Sequence, residues 1–533
     1  MRARRSVCVG GSVVGLLMAV GCDGAGDVVE EKVGVVTAAS VANNLPPFTS
    51  AGSPGAVDGT TTWVVPTTPN GLLTDQSWFS IANAPDGNVY LTACDHINNS
   101  ALYRLTPKND SLGYLGDALS AAQAANNWLP GETFEKFHMR PLWYRDKVYL
   151  ASADYSNQDA LYIEKDRGFH WFDYDTKAKT FTDVSASEPN GVGAEHISIF
   201  SAALDAGRGV IYAIGSPTAH LYSFDIATGR TTDLGRSPIL TRTFYNPGRF
   251  IWVDSRGRVY MTVATAGTLA PGEPATPRYV LWWDPIEGWG AEPSWEITEM
   301  LRTGQCTPDQ KRCYIMTYPL DLYLFDDEAR TFRRINKGIL DAQHISTRTG
   351  AVRVRSMNLS PNEKKLYFVN DSAPIDSLFE WALTPDATPR ELASVAALDA
   401  RLDARYTAFT GHDGWDPKGR FYFAGFGGEG VPSTPNVYVT RIDPVRLKAA
   451  LGILPGVADV AIRGAGRGLH LVRHGDLSTD LQVLLSVRGA VPYEIVTAPA
   501  GRTVVPVSLG VSVHMKDVAV IPDGDTYVAA SCD

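Results

Sequence analysis

Residues 249–284 constrain the chain more than any other stretch. Arg249-Phe-Ile-Trp-Val-Asp-Ser-Arg-Gly-Arg-Val-Tyr-Met-Thr262 is an apolar run, a polar turn centred on Gly257 and a second apolar run, the pattern of a tight β-hairpin. A third strand follows as Tyr279-Val-Leu-Trp-Trp-Asp284. The same three-part unit returns along the chain at intervals of roughly 40 to 65 residues. Residues 78–93 turn at Pro85-Asp-Gly87, residues 137–152 at Arg145-Asp146 and residues 197–214 at Asp205-Ala-Gly207. After the unit at 249–284 come a compressed one at 306–326, one at 354–381 turning at Ser360-Pro-Asn362, and one at 410–441 turning at Pro417-Lys-Gly419.

Seven such units, each with a charged or Thr-rich tail such as Thr180-Phe-Thr-Asp183, are the signature of a seven-bladed β-propeller. The fold class is therefore all-β, with no sustained helical periodicity. The third strand of the second unit is expected at Phe169-His-Trp-Phe-Asp173, and Thr62-Trp-Val-Val-Pro66 is expected to close the ring against the last unit. An aspartate ending the third strand before a turn, as in Asp225-Ile-Ala-Thr-Gly229, is common in propeller repeats. The resemblance covers residues 62–450 and implies architecture rather than activity, since propellers include enzymes, receptors and scaffolds.

The flanks differ from the repeats. Residues 1–22 carry Arg2, Arg4 and Arg5 before the apolar run 7–20, a signal for export too short to span as a mature helix. Met18-Ala-Val-Gly-Cys22 resembles the bacterial lipobox, with Ala19 where leucine is commonest. That resemblance implies acylation of Cys22 and a domain anchored outside the cytoplasm on the cell or outer membrane; an ordinary secretory signal cut nearby is the alternative. Residues 23–61, rich in Ala, Gly, Ser and Val, form the expected flexible tether.

In the C-terminal module, 451–533, Leu469-His-Leu-Val-Arg-His-Gly-Asp-Leu-Ser478, Leu481-Gln-Val-Leu-Leu-Ser-Val-Arg-Gly489 and residues 499–509 resemble the Calx-β repeat. This implies a small β-sandwich. The Asp-Tyr and acidic cluster that accompany calcium in that family are absent here, which puts calcium binding in doubt.

Export leaves Cys94, Cys306, Cys313 and Cys532 in an oxidising compartment. Cys306 and Cys313 stand astride a six-residue turn at hairpin separation, which predicts a disulfide. Cys94 with Cys532 follows by elimination.

A net charge of -10 provides no broad basic footprint, which argues against nucleic acid as a partner but leaves room for a local cationic pocket. Aligned on their turns, the first strands bring Arg249, His138 and Arg355 to one level, with His412 one residue and His196 two residues away. The first and fifth units offer Phe79 and Thr303 there. Singly, each histidine fits a hydrogen-bonded core residue, and each arginine fits a partner for a carboxylate such as Glu195 or Asp413. Together they favour an anionic polysaccharide or oligosaccharide at the channel mouth.

Eliminative cleavage of a uronate needs a cation on the carboxylate, a base for the adjacent carbon-bound proton and an acid for the leaving oxygen. Arg249 and Arg355 supply the clamp, His138 or His196 the base, and Tyr245 or His412 the acid. The combination is similar in kind to the propeller-fold polysaccharide lyases, including those acting on oligogalacturonate and ulvan, without sharing a motif with them. No cofactor is called for. A channel metal on His138, His196 and His412 is the catalytic alternative. A non-catalytic surface binding or scaffold protein, meeting a protein partner through loops 264–277 and 426–433, is the other. His96, His170, His220, His470, His474 and His514 have no partner nameable from sequence.

Overall fold

The computed structural model describes residues 48–49 and 56–453, apart from 72–73, 96, 154–166, 266–278, 298–299, 318–320, 337–352, 355, 372–376, 385–386, 400–401, 403–405, 413–414, 417 and 428–436, together with strand segments between 459 and 521. Residues 1–47, which hold the expected leader and most of the tether, lie outside the described residues.

Seven blades of antiparallel strands follow one another along the chain and make the propeller; blades three, four and five are separate four-stranded sheets, blades one and two each carry a fifth strand, and blades six and seven are joined into one nine-stranded sheet by a parallel pairing of Ser356–Leu359 with Tyr406–His412. Blade three shows the plan: Ser198–Asp205, Val210–Ser216, Leu221–Asp225 and Arg230–Asp233 pair in sequence order. Blade seven is assembled differently. Tyr406–His412, Phe421–Gly427 and Val437–Ile442 supply three strands, and Thr60–Val64 pairs with the last of them in the register Thr60↔Ile442. The ring is thus closed by the start of the chain, as the run at 62–66 predicts. Trp63 seals the joint. It is 1% exposed, its Nε1 donates to the carbonyl of Asp110 at 3.1 Å, and the Arg441 guanidinium lies 5.0 Å over its ring.

Local chemistry explains why the units turn where they do. In blades four and seven an aspartate fixes the first hairpin: Asp254 accepts from the backbone of Arg256 and Arg258 and from the Tyr260 hydroxyl, and Asp416 accepts from the backbone of Lys418 and Arg420 and from the Tyr422 hydroxyl. Each carboxylate satisfies two turn N–H groups and one buried hydroxyl, all of which would otherwise be costly to bury. The aspartate after the third strand does similar work, since Asp225, Asp175 and Asp326 accept from Thr228, Ala178 and Ala329.

Large aromatic and aliphatic side chains from neighbouring blades fill the spaces between sheets. Met139, Trp171, Ile199 and Phe224 pack between blades two and three, and Trp252, Tyr260, Ile315 and Phe325 between four and five. The hairpin disulfide Cys306–Cys313 is present, joining residues directly opposite in blade five.

One expectation is corrected. The third strand of blade two is Trp171–Asp175, because Gly168–Phe169 leaves the blade to form a ribbon with Ala194–Glu195. Helix is short but present. Ala118–Ala124 starts at Asp117, whose carboxylate caps Ser120, and Pro444–Ala450 starts at Asp443, which caps Arg446. The second helix is fastened to blade six. Lys448, with its side chain fully buried, donates to Glu380 at 2.8 Å, and Glu380 also receives Lys365, Arg390 and the Tyr367 hydroxyl. In the C-terminal segment two three-stranded antiparallel sheets are described: Asp459–Ala465, Gly468–His474 and Val504–Val507, then Glu494–Ala498, Leu481–Val487 and Val518–Ile521.

Candidate functional site

The first hairpins share a backbone hydrogen bond that gives each blade a common origin. The N–H of Gly257 donates to Asp254, and in the same way Gly87 donates to Ala84, Gln310 to Thr307, Glu363 to Ser360 and Gly419 to Asp416. Five residues before these acceptors stand Arg249, Phe79, Arg302, Arg355 and Gly411. Counting back equally from Asp205, whose carbonyl receives Gly209, gives Phe200 in blade three.

Arg302, rather than Thr303, therefore occupies the level of Arg249. The inner strand of blade five bulges between Leu301 and Thr303, and that of blade three between Ile199 and Ser201, so that Arg302 and Phe200 are the extra residues. A bulge breaks the two-residue alternation and re-aims one side chain.

Phe79 and Phe200 from this level meet His138. The imidazole is 2% exposed, and its centroid lies 4.6 Å from the Phe200 ring, 5.1 Å from Phe79 and 6.2 Å from Trp78 in a near-parallel stack. Cations cover the outer faces of the same rings. The Arg249 guanidinium lies 4.2 Å over Phe200, Lys136 Nζ lies 5.6 Å over both Trp78 and Phe200, and Arg302 lies 6.0 Å over Phe79. Cation–π attraction strengthens as water is excluded, which suits Lys136 and Arg302 at 2% and 7% exposure. Arg140 reaches from blade two to within 5.9 Å of the Phe250 ring in blade four.

The backbone of Phe79 lies in the left-handed region at φ 51°, a conformation unfavourable for an aromatic residue by about 1–2 kcal/mol. Packing against His138 holds the ring there, and strain of this kind concentrates at binding sites.

Burial, then the charges of Arg249 and Lys136, push the His138 pKa well below the ordinary histidine value. The ring is therefore neutral at neutral pH. Its Nδ1 lies 3.2 Å from the carbonyl oxygen of Phe200, which can only accept, so Nδ1 carries the proton and Nε2 keeps a lone pair. Chemically this is a base held among cations, next to a surface that attracts anions.

Two of the remaining sequence candidates, His196 and Tyr245, are absent from the ring contacts given above. His196 is exposed on the turn after Ala194–Glu195, with φ 58° and its backbone N–H on the carbonyl of Arg167. Tyr245 is buried in the core between blades three and four, and its hydroxyl accepts from the Arg242 backbone at 3.0 Å. His412 ends the inner strand of blade seven, its backbone opposite Met357 of blade six. Arg355 lies outside the described residues, as do Cys22, Cys532 and most of the loops 264–277 and 426–433. Cys94 is buried and its thiol lies 3.5 Å from the Gln76 carbonyl oxygen. Among the described residues no three His, Cys, Asp or Glu side chains are arranged to hold a metal ion. No described helix is long and apolar enough to cross a membrane.

Two histidines without a nameable partner acquire one. His220 Nδ1 meets Asp233 at 2.9 Å, and His170 is held between Asp183 and Glu132. The site residues missed from sequence are Lys136 and Arg302. Lys136-Phe-His-Met-Arg140 places a cationic or titratable residue at every second position of an inner strand, a signal that was available.

No family model matches the chain, and no curated protein matches it. Solved structures of similar shape include YCF48 bound to D1 peptide, at 10% identity over 74% of this chain and 99% of that one with a TM-score of 0.41. A chain of the mitotic checkpoint complex aligns at 9% identity over 75% of this chain and 99% of its own, TM-score 0.44. A streptogramin B lyase aligns at 10% identity over 73% of this chain and 100% of its own, TM-score 0.46. At these identities and scores the fold rests on the sheets described above, and nothing about the site is taken from these proteins.

Proposed function

We propose that the protein binds an anionic, uronate-like carbohydrate at the channel end of the propeller, with the carboxylate received by Arg249, Arg302 and Lys136. The observation that supports this is the convergence of three cations from three inner strands on the aromatic faces around His138. Arginine forks onto carboxylate.

Calorimetric titration with an oligogalacturonate tests the reading. Replacing both Arg249 and Arg302 by glutamine removes charge-assisted hydrogen bonds of about 1.5–3 kcal/mol each, so affinity falls by at least about tenfold. Equal affinity in the double variant, or no binding across a panel of acidic polysaccharides, removes it.

The tautomer of His138 favours a catalytic version, in which Nε2 takes the proton from the carbon beside the carboxylate, the electron pair forms the carbon–carbon double bond as the sugar C–O bond breaks, and the leaving oxygen takes a proton from water. Ultraviolet absorbance of an unsaturated product, lost in His138→Ala, is its test. In the scaffold alternative a protein partner binds and channel substitutions leave that binding unchanged. We also propose export and acylation of Cys22, on the strength of the leader and its Met18–Cys22 run; fatty-acid labelling lost in Cys22→Ala checks it.

A further inference from the structure

We propose that His170 is the charged pin of a pH-gated clasp that positions the Lys136–His138 wall of the site. The clasp itself stands on its own geometry, and only its effect on ligand rests on the binding reading above.

Residues 127–134 lead directly into Lys136 and His138; Phe134 is tied to blade one, its N–H donating to the Asn98 carbonyl and its carbonyl accepting from the Ser100 hydroxyl, and one imidazole ties the same segment to blade two. The His170 side chain is fully buried, its Nδ1 lies 2.8 Å from Asp183 Oδ2, and its Nε2 lies 3.0 Å from Glu132 Oε1. Asp183 comes from the fourth strand of blade two and Glu132 from the incoming segment. Phe134 meets the ring edge-on at 5.0 Å and Phe172 stacks at 6.0 Å. The further charged group at the cluster is Arg167, which reaches Glu132 at 3.3 Å, donates to the Asn127 carbonyl at 2.9 Å and to the Asn127 side-chain oxygen at 2.7 Å. Asn127 Nδ2 in turn donates to Asp183 at 2.9 Å and to the Gly191 carbonyl at 2.7 Å.

Two ionised carboxylates only accept, so an imidazole can bond both only when both its nitrogens carry protons. Burial opposes that charge, but the bonds to Asp183 and Glu132 outweigh it and hold the pKa above the ordinary histidine value. The sign follows. The contribution is fully present below about pH 6.5 and is lost as pH rises through the raised value.

When the proton leaves, one nitrogen turns a lone pair toward a carboxylate. The shorter bond goes to Asp183, so Nδ1 keeps its proton and the Glu132 contact is surrendered. Asp183 keeps Asn127 and the backbone of Ser185, whereas the segment at 129–134 loses its pin to blade two.

The test is amide hydrogen exchange of residues 129–134 in the full-length protein, divided by intrinsic rates, from about pH 5.5 to 9, beside an NMR titration of His170. The opening equilibrium should rise with pH, by at most tenfold for each unit by which the measured pKa exceeds about 6.5 because the Asp183 bond persists, and should level off at that pKa. His170→Gln should abolish the step. Exchange that is flat with pH in the wild-type protein overturns the clasp, as does a step that persists in the variant; the wild-type measurement stands even if the variant misfolds.

Trigalacturonate affinity across the same range is the second arm. Weaker binding above the step supports positioning of the wall, and constant affinity through the step overturns it. A step in exchange with no trigalacturonate bound at any pH retains the clasp and removes the binding reading. His138 titrates below the ordinary range, on the acid side, which keeps its contribution apart from this step.

Discussion

Replacing Arg249 by glutamine removes a charge while leaving a planar group over Phe200, and the consequence for His138 can be worked out. The guanidinium lies 4.2 Å from the Phe200 centroid and the imidazole 4.6 Å from it. Arg249 and His138 are therefore at most about 9 Å apart, where two unit charges at an effective dielectric of about 20 repel by about 1.8 kcal/mol, or about 1.3 pK units. The His138 pKa should rise by about that amount. An NMR pH titration of imidazole-labelled protein, with the resonance assigned through His138→Gln, measures it directly. The same charge has a reading in stability. A buried histidine with a depressed pKa lets the unfolded chain take the proton first, so stability is highest above about pH 6.5 and declines as pH falls from there toward the folded-state value. In Arg249→Gln the folded-state value moves up toward the unfolded one, so the acid-side decline should stop at a higher pH, seen by denaturant titration over a pH series. A shift of less than about 0.3 units, or a downward one, would refute the cationic neighbourhood on which the site depends.

Two further substitutions probe the frame. Glu380→Gln leaves Lys448 buried without its counter-charge and should cost about 3–5 kcal/mol in denaturant unfolding. Trp63→Ala empties the ring joint and should cost about 3–5 kcal/mol, with early exposure of residues 437–442 in hydrogen exchange.

Much of the propeller was legible because its signal is chemical as well as periodic. Asp, Gly and Tyr at the hairpin of blade four are the groups that satisfy one another there, and the spacing returns at Asp416, Gly419 and Tyr422. Ring closure was legible for a related reason, since Thr62-Trp-Val-Val had the composition of a strand and no hairpin of its own.

The site was less legible. Sequence alignment on turns assumes unbroken alternation, and the bulges at Phe200 and Arg302 violate it without leaving a glycine or proline to mark them. Tyr245 is offered from sequence as the acid. Its own strand, Tyr245–Pro247, pairs with Val263–Thr265 and carries it into the core between blades three and four. The partners of His170 were beyond pattern reading, because Glu132 and Asp183 lie on opposite sides of it in sequence and come together only once loop and blade have packed.

The joint in blade seven sets a clock. Thr62 meets Thr440 across a separation of 378 residues. At about 5–20 residues per second, synthesis needs on the order of 20–75 s between making one strand and making its partner. Throughout that interval Thr60–Val64 lacks its sheet partner, and Trp63, later among the most buried side chains in the molecule, has only the blade-one half of its surroundings. Until the partner arrives, the open ring exposes an apolar strand edge to any other strand it meets, including the same edge on another copy of the chain.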